Sequence, residues 1–135
     1  MGMHKGLLRR EAFRYASEAA KYLIVGAVNT LLTLAAIFLL TLAGADYRLG
    51  NAVGYGIGLL CSYILNRLWT FRSHGAVAPQ VLKFLLVFCV CYAAQFGLLV
   101  LMVEWLRLSH SFSQIAAMGV YTALGYLLSR ILVYR

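Results

Sequence analysis

Two arginines frame the chemistry this chain can do. Arg67 and Arg130 each follow a tyrosine by four residues, Tyr63 and Tyr126, and each sits a few residues before the end of a long apolar stretch. A guanidinium is always charged and holds phosphate oxygens through two parallel hydrogen bonds, so an arginine at such a place suits a phosphate carried on a lipid. The plainer alternative is a boundary arginine snorkelling to the headgroups. Lys21 and Lys83 stand at the starts of two other apolar stretches and could join the arginines, giving four cations from four helices around one cavity.

Inside the apolar stretches the polar residues are few. Asn29 and Thr33 lie in the first, Asn66 in the second and Gln95 in the third. An amide in hydrocarbon needs hydrogen-bond partners, so these side chains should face the bundle interior, either as interhelical glue or as a polar path. Gly50, Gly54, Gly58, Ser62, Asn66 and Thr70 recur every fourth residue and make a row of small or polar groups on one helix face. Such a row lets two helix backbones approach closely, and it could equally serve as a docking face for another subunit.

Other chemistries lack their residues. Glu11, Glu18, Asp46 and Glu104 are the only carboxylates, and none lies deep in an apolar stretch. No nucleophile and base, glycine-rich phosphate loop or zinc motif is spaced for work. Three scattered histidines and Cys61, Cys89 and Cys91 form neither a metal set nor a disulfide framework. The expectation is a chain that is not an enzyme and uses no cofactor.

The elements that must hold these residues follow from composition. Of 135 residues, 63% are hydrophobic and 12% charged, against about 25% charged in ordinary soluble domains. Stretches at about 21–44, 49–70, 83–106 and 112–134 are each long enough for a ~30 Å hydrocarbon core. The expected fold is an all-α integral membrane protein of four transmembrane helices. Residues 1–20 form a segment apart, with a short interfacial helix over 5–20, and residues 21–135 form the membrane domain. The first span has no cleavage site after it and reads as retained.

The net charge of +8 is a topology signal, not a nucleic-acid footprint. Lys5, Arg9, Arg10, Arg14 and Lys21 precede the first span, Arg67, Arg72 and Lys83 flank the second connection, and Arg130 and Arg135 close the chain. Only Arg48 and Arg107 fall at the other connections, so both termini are expected in the cytoplasm. Anionic membrane lipids would be attracted to the same side.

The two halves read as copies. Lys21-Tyr22-Leu23-Ile24-Val25 aligns with Lys83-Phe84-Leu85-Leu86-Val87 at an offset of 62. From Asn51 onward the offset is 63, pairing Tyr63 with Tyr126, Arg67 with Arg130 and Arg72 with Arg135. One extra residue in the outer turn at Gly44–Arg48 reconciles the two. Each half is then a helical hairpin, and the pair makes a parallel repeat about an axis along the membrane normal, a plan used by transporters.

Two blocks carry a resemblance. Val25-Gly26-Ala27-Val28-Asn29-Thr30 and Tyr63-Ile64-Leu65-Asn66-Arg67-Leu68-Trp69-Thr70-Phe71 resemble the signature blocks of the GtrA-like family of small four-span proteins, over roughly residues 15–135. In the second half the closing block, Leu128 to Tyr134, keeps the arginine and the final aromatic but loses Asn and Trp. The resemblance implies flipping of a polyprenyl-phosphate-linked sugar, such as an undecaprenyl-phosphate glucose, from the cytoplasmic to the outer leaflet of a bacterial inner membrane, for polysaccharide modification. It also implies a membrane glycosyltransferase partner, and four helices enclose so little volume that a homo-oligomer is expected. A subunit that only stabilises or recruits the transferase is the alternative. A small multidrug exporter fits less well, because the carboxylate such proteins carry in the first span is missing here.

Overall fold

The computed structural model describes residues 2–135, with side chains described over 5–46 and 49–135. The described residues form helices and their connections, with no strand among them. They divide into two units, residues 1–72 and 73–135, each a hairpin of two antiparallel helices. Arg48, counted above as a topology charge, has its side chain outside the described set, as do His4 and Tyr47.

The first hairpin opens with α1, Gly2–Leu42, a single helix of 41 residues. At 1.5 Å per residue it is about 60 Å long, twice the hydrocarbon core. The short interfacial helix expected over 5–20 is therefore not a separate element. Glu11, Ala12, Ala16, Glu18, Ala19 and Ala20 are strong helix formers and no proline or glycine falls between Gly6 and Gly26, so nothing in the chain stops the helix at Lys21. A change of surroundings from water to lipid is not a helix terminator. Arg14 and Glu18, one turn apart and 4.0 Å from each other, add a surface pair worth a few tenths of a kcal/mol, about 0.3 by the usual scale.

Gly44 ends α1. Its φ of +85° suits glycine. Gly44 N–H donates to Thr41 O at 3.1 Å and Ala45 N–H to Leu40 O at 3.0 Å, the two bonds of a Schellman cap. Asp46 then starts the next helix, its carbonyl accepting from Gly50 N–H at 2.9 Å. The outer turn is thus shorter than Gly44–Arg48, because α2, Tyr47–Leu65, has begun by Tyr47.

In the second hairpin α3 spans Val77–Val100 and α4 spans His110–Leu128. Pro79 sits in the first turn of α3, where the missing N–H would have had no helical partner. Ser109 caps α4, accepting from Phe112 N–H at 3.4 Å through its hydroxyl, and its carbonyl takes Ser113 N–H at 3.0 Å.

Helices α2, α3 and α4 each close in one wide, five-residue turn, over Asn66–Thr70, Leu101–Trp105 and Ser129–Val133. Phe71 N–H reaches back five residues to Asn66 O at 2.9 Å, and Tyr134 N–H to Ser129 O at 3.0 Å. These two turns are 63 residues apart and close on equivalent aromatics, so the repeat read in the sequence extends to the backbone of the helix ends. Arg72 and Arg107, with φ of 47° and 52°, carry the chain out of two of these turns in the left-handed region.

Burial is inverted relative to a soluble protein. Val25, Ser113, Ala117 and Val133 are almost wholly enclosed, while Leu31, Phe38, Ile115 and other large apolar side chains point outward. Small groups meet inside and bulky apolar ones face a solvent that must itself be apolar. Lys5–Leu42, Val77–Trp105 and His110–Val133 are long and apolar enough to cross a membrane.

Candidate functional site: the basic ends of the two hairpins

The first hairpin closes by two rows of every-fourth residues. On α2, Gly50, Gly54 and Gly58 are buried; on α1 they meet Asn29, Thr33, Ile37 and Thr41, also four apart. Gly50 lies over Ile37 and Thr41, Gly54 over Ile37 and Thr33, and Gly58 over Thr33 and Asn29. A Cβ on Gly54 would stand 2.6 Å from Ile37 Cγ1 and 3.0 Å from Thr33 O; on Gly58 it would run into Thr33 Oγ1 and stand 2.5 Å from Asn29 Oδ1. This face is occupied inside the hairpin, so it is not free to dock another subunit.

The row continues as a polar chain toward the end of α2. Thr70 Oγ1 donates to Asn66 Oδ1 at 3.0 Å, and Asn66 Nδ2 donates to Ser62 Oγ at 3.3 Å. Asn66 is 2% exposed and its amide is held at both ends by its own helix. Asn29 differs: its Oδ1 is buried and accepts no hydrogen bond from the described residues. Thr33 is beside it across Gly58. Gln95 belongs to the other hairpin, half-buried on α3.

The cations gather at one end of each hairpin. In the first, Lys21 Nζ lies 5.7 Å from the centre of the Trp69 ring, and Tyr22 meets Phe71 edge-on at 6.3 Å. Arg67, half-buried, donates from Nη1 to Tyr63 OH at 3.4 Å. The start of the apolar part of α1 is thereby tied to the end of α2 by rings and cations, with a cation–π contact worth about 0.5–2 kcal/mol depending on desolvation. Asp46 lies at the opposite end.

In the second hairpin Lys83, near the start of α3, and Arg135, after α4, line one groove of about 460 Å³ with apolar walls. Arg130 is half-buried and engaged within the protein. Glu104 lies at the far end of α3. In the first turn of α3, the buried Gln80 side chain donates back to Ser73 Oγ at 2.5 Å and passes so close to Gly75 that a Cβ there would stand 2.8 Å from Gln80 Nε2.

Each hairpin thus places a lysine and an arginine at the same end, and in the first Glu18 stands one turn before Lys21 and pairs with Arg14. The sequence reading missed two parts of this. Trp69, named above only within the second signature block, underlies Lys21; its place one turn past Asn66 was the available signal. Arg135 reads as a topology charge and in fact shares a groove with Lys83. On each helix that groove is lined at i, i+3, i+4 and i+7 by three apolar residues and one cation, a spacing invisible in helices that are apolar all round.

Comparison with known proteins places these features. A family model described as GtrA/DPMS, transmembrane domain, matches residues 21–134. The cell wall teichoic acid glycosylation protein GtcA of Listeria monocytogenes is 24% identical over 119 residues, covering 84% of this chain and 82% of that protein. GtcA of Listeria innocua matches at the same identity and coverage. The membrane protein YwcD of Bacillus subtilis is 22% identical over 84% of this chain and 94% of its own length. With its apolar helices and this match, the chain is an integral membrane protein.

Proposed function

This chain belongs to the GtrA/DPMS transmembrane-domain family, and from that premise we propose that it carries a polyprenyl-phosphate-linked monosaccharide from the cytoplasmic to the outer leaflet of a bacterial inner membrane. The sugar then serves glycosylation of a cell-surface polymer, in keeping with the name of the Listeria relatives. The protein makes and breaks no covalent bond in this scheme. A membrane glycosyltransferase loads the lipid inside, and several copies of the chain supply the volume that four helices lack.

The observation that carries the reading is the clustering of cations at one end of each hairpin. A phosphate crossing bare hydrocarbon pays a prohibitive desolvation cost, so a carrier must offer positive charge at the entrance and polar groups within. With four spans and both termini in the cytoplasm, as the basic flanks predict, Lys21 and Arg67 of one hairpin and Lys83 and Arg130 of the other face the leaflet where the lipid is made. Further in, the unaccepting Asn29 Oδ1 supports a polar path, since a buried carbonyl oxygen without a donor is ready for a sugar hydroxyl or water. Thr33, Asn66 and Gln95 extend that path, Asn66 by exchanging its bonds to Ser62 and Thr70 for bonds to the cargo.

The test is transport by the purified protein in proteoliposomes loaded with undecaprenyl-phosphate glucose. Protein-dependent arrival of the sugar at the opposite leaflet is expected. Movement no faster than in protein-free vesicles, with the protein still co-purifying with a glycosyltransferase, would replace the carrier with a recruiting subunit.

A further inference from the structure

The two hairpins repeat one another, and one difference between their basic ends concerns the lysines. Trp69 of the first hairpin corresponds to Leu132 of the second, just as Lys21 corresponds to Lys83. In the first, the indole lies under the ammonium and occupies it. In the second, Lys83 is exposed beside an open groove whose wall at the matching position is Leu132.

The groove has a direction. On α3 it is lined by Lys83, Leu86, Val87 and Val90, a stripe of i, i+3, i+4 and i+7 that runs about 10 Å along the helix. On α4 and its closing turn, Leu128, Ile131, Leu132 and Arg135 repeat the same spacing in the opposite chain direction. Because the helices are antiparallel, both stripes end in their cation at the same end. Neither Lys83 nor Arg135 has a hydrogen-bond or ion-pair partner among the described residues. The hairpin's one acidic side chain, Glu104, is 21 residues along α3 from Lys83, or about 30 Å. The result is an apolar trough with two cationic side chains at one mouth.

We propose that this trough in the second hairpin, and not its counterpart in the first, seats the lipid: the phosphate of a polyprenyl phosphate on Lys83 and Arg135, and the first isoprene units along Leu86, Val90, Leu128 and Leu132. The inference rests on the lipid-carrier reading and gives it an asymmetric binding site. Charge complementarity selects an anion, with charge-assisted contacts to two cations of different reach. The volume, in the lower part of the ~300–1,000 Å³ range of small-molecule sites, admits one chain for a short distance. A single-tailed isoprenoid fits that description better than a two-tailed phospholipid, and the remainder of its tail stays in the bilayer. Trp69 gives the first hairpin a different task, fastening Lys21 to α2.

Binding to the purified full-length protein in nanodiscs of neutral lipid tests this, with undecaprenyl phosphate as probe and undecaprenol and phosphatidylglycerol as comparators. Wild type should take undecaprenyl phosphate at least about tenfold more tightly than either comparator, the difference expected from losing charge-assisted contacts or single-chain fit. Lys83→Gln with Arg135→Gln should abolish that preference. Leu132→Trp, which installs the ring of the first hairpin, should weaken the probe to a similar degree, while Lys5→Gln should not. If Leu132→Trp fails to fold, the charge pair decides alone. Unchanged undecaprenyl phosphate affinity in the charge pair overturns the site, and equal binding of phosphatidylglycerol overturns the assignment to a polyprenyl lipid. Proteoliposome transport separates this from the broader reading. Wild-type transport that survives the charge-pair substitution removes the groove and leaves the carrier, whereas groove-dependent binding without wild-type transport removes the carrier and leaves the groove.

Discussion

Substituting alanine along the glycine row of α2 should give a graded result that the geometry fixes in advance. At Gly50 a Cβ would find its nearest neighbours, Ile37 O and Leu40 Cβ, at 3.7 Å, an ordinary contact. Alanine there recovers the helix propensity that glycine forfeits, about 0.5–1 kcal/mol. At Gly58 the same methyl collides with Thr33 Oγ1 and lies 2.5 Å from Asn29 Oδ1. Forcing an added methyl into a filled site costs about 1–3 kcal/mol, which the propensity gain only partly offsets, leaving a net loss of roughly 1–2 kcal/mol. Gly54 should behave like Gly58, since one of its obstacles is the Thr33 carbonyl, a backbone atom fixed in α1. Gly56, with nothing within 4 Å, is the outward control and should gain stability like Gly50. Unfolding in mixed micelles, followed by far-UV helicity, reads these differences directly. A double-mutant cycle adding Thr33→Ala should restore part of the Gly58→Ala loss, because it removes the colliding hydroxyl. Equal destabilisation at Gly50 and Gly58, or no rescue by Thr33→Ala, would refute the row-on-row packing of α1 against α2.

Three further outcomes follow from single features. Trp69→Leu, which makes the first hairpin like the second, should lower its stability by about 0.5–2 kcal/mol through loss of the Lys21 contact and ring packing, and the effect should shrink in a Lys21→Gln background, measured by the same micelle unfolding. Arg107→Gly should be stabilising by about 1 kcal/mol, because a side chain at φ of 52° is strained and glycine is not, whereas Ser109→Ala, two residues on, should cost about 1 kcal/mol through loss of the α4 cap; thermal melts of the two variants should move in opposite directions. In a background with Cys61, Cys89 and Cys91 replaced, a cysteine at Asp46 should react with an impermeant thiol reagent from outside whole cells and one at His74 should not; outer labelling at 74 would put the basic ends on the wrong side for a lipid made in the cytoplasm.

What these residues announce by themselves and what they leave open divides along physical lines. The stop at Gly44 is legible because such a cap is local: a glycine able to take positive φ acts within a few residues of its own position, whereas hydropathy sets the next spans at about 49 and 112 and so overlooks the earlier starts that Asp46 and Ser109 provide. The every-fourth row from Gly50 to Thr70 is legible for the same reason, since helical spacing fixes which residues share a face. The continuity of α1 through Lys21 was missed because charge and hydropathy change there while helix propensity does not. The partner of a face is another matter. That Asn29 and Thr33 fill the space over Gly58, that Lys21 rests on Trp69, and that Lys83 and Arg135 open onto one groove are decided only when two helices pack. In a chain whose helices are apolar on every side, the lipid face and the protein face have nearly the same composition, so periodicity carries no contrast to separate them. The sequence determined a membrane-spanning, hairpin-repeated chain with its charge gathered at particular helix ends. The tertiary structure decided which of those charges is already spoken for and which faces an empty trough, because that depends on whether a tryptophan or a leucine sits across from a lysine on the neighbouring helix.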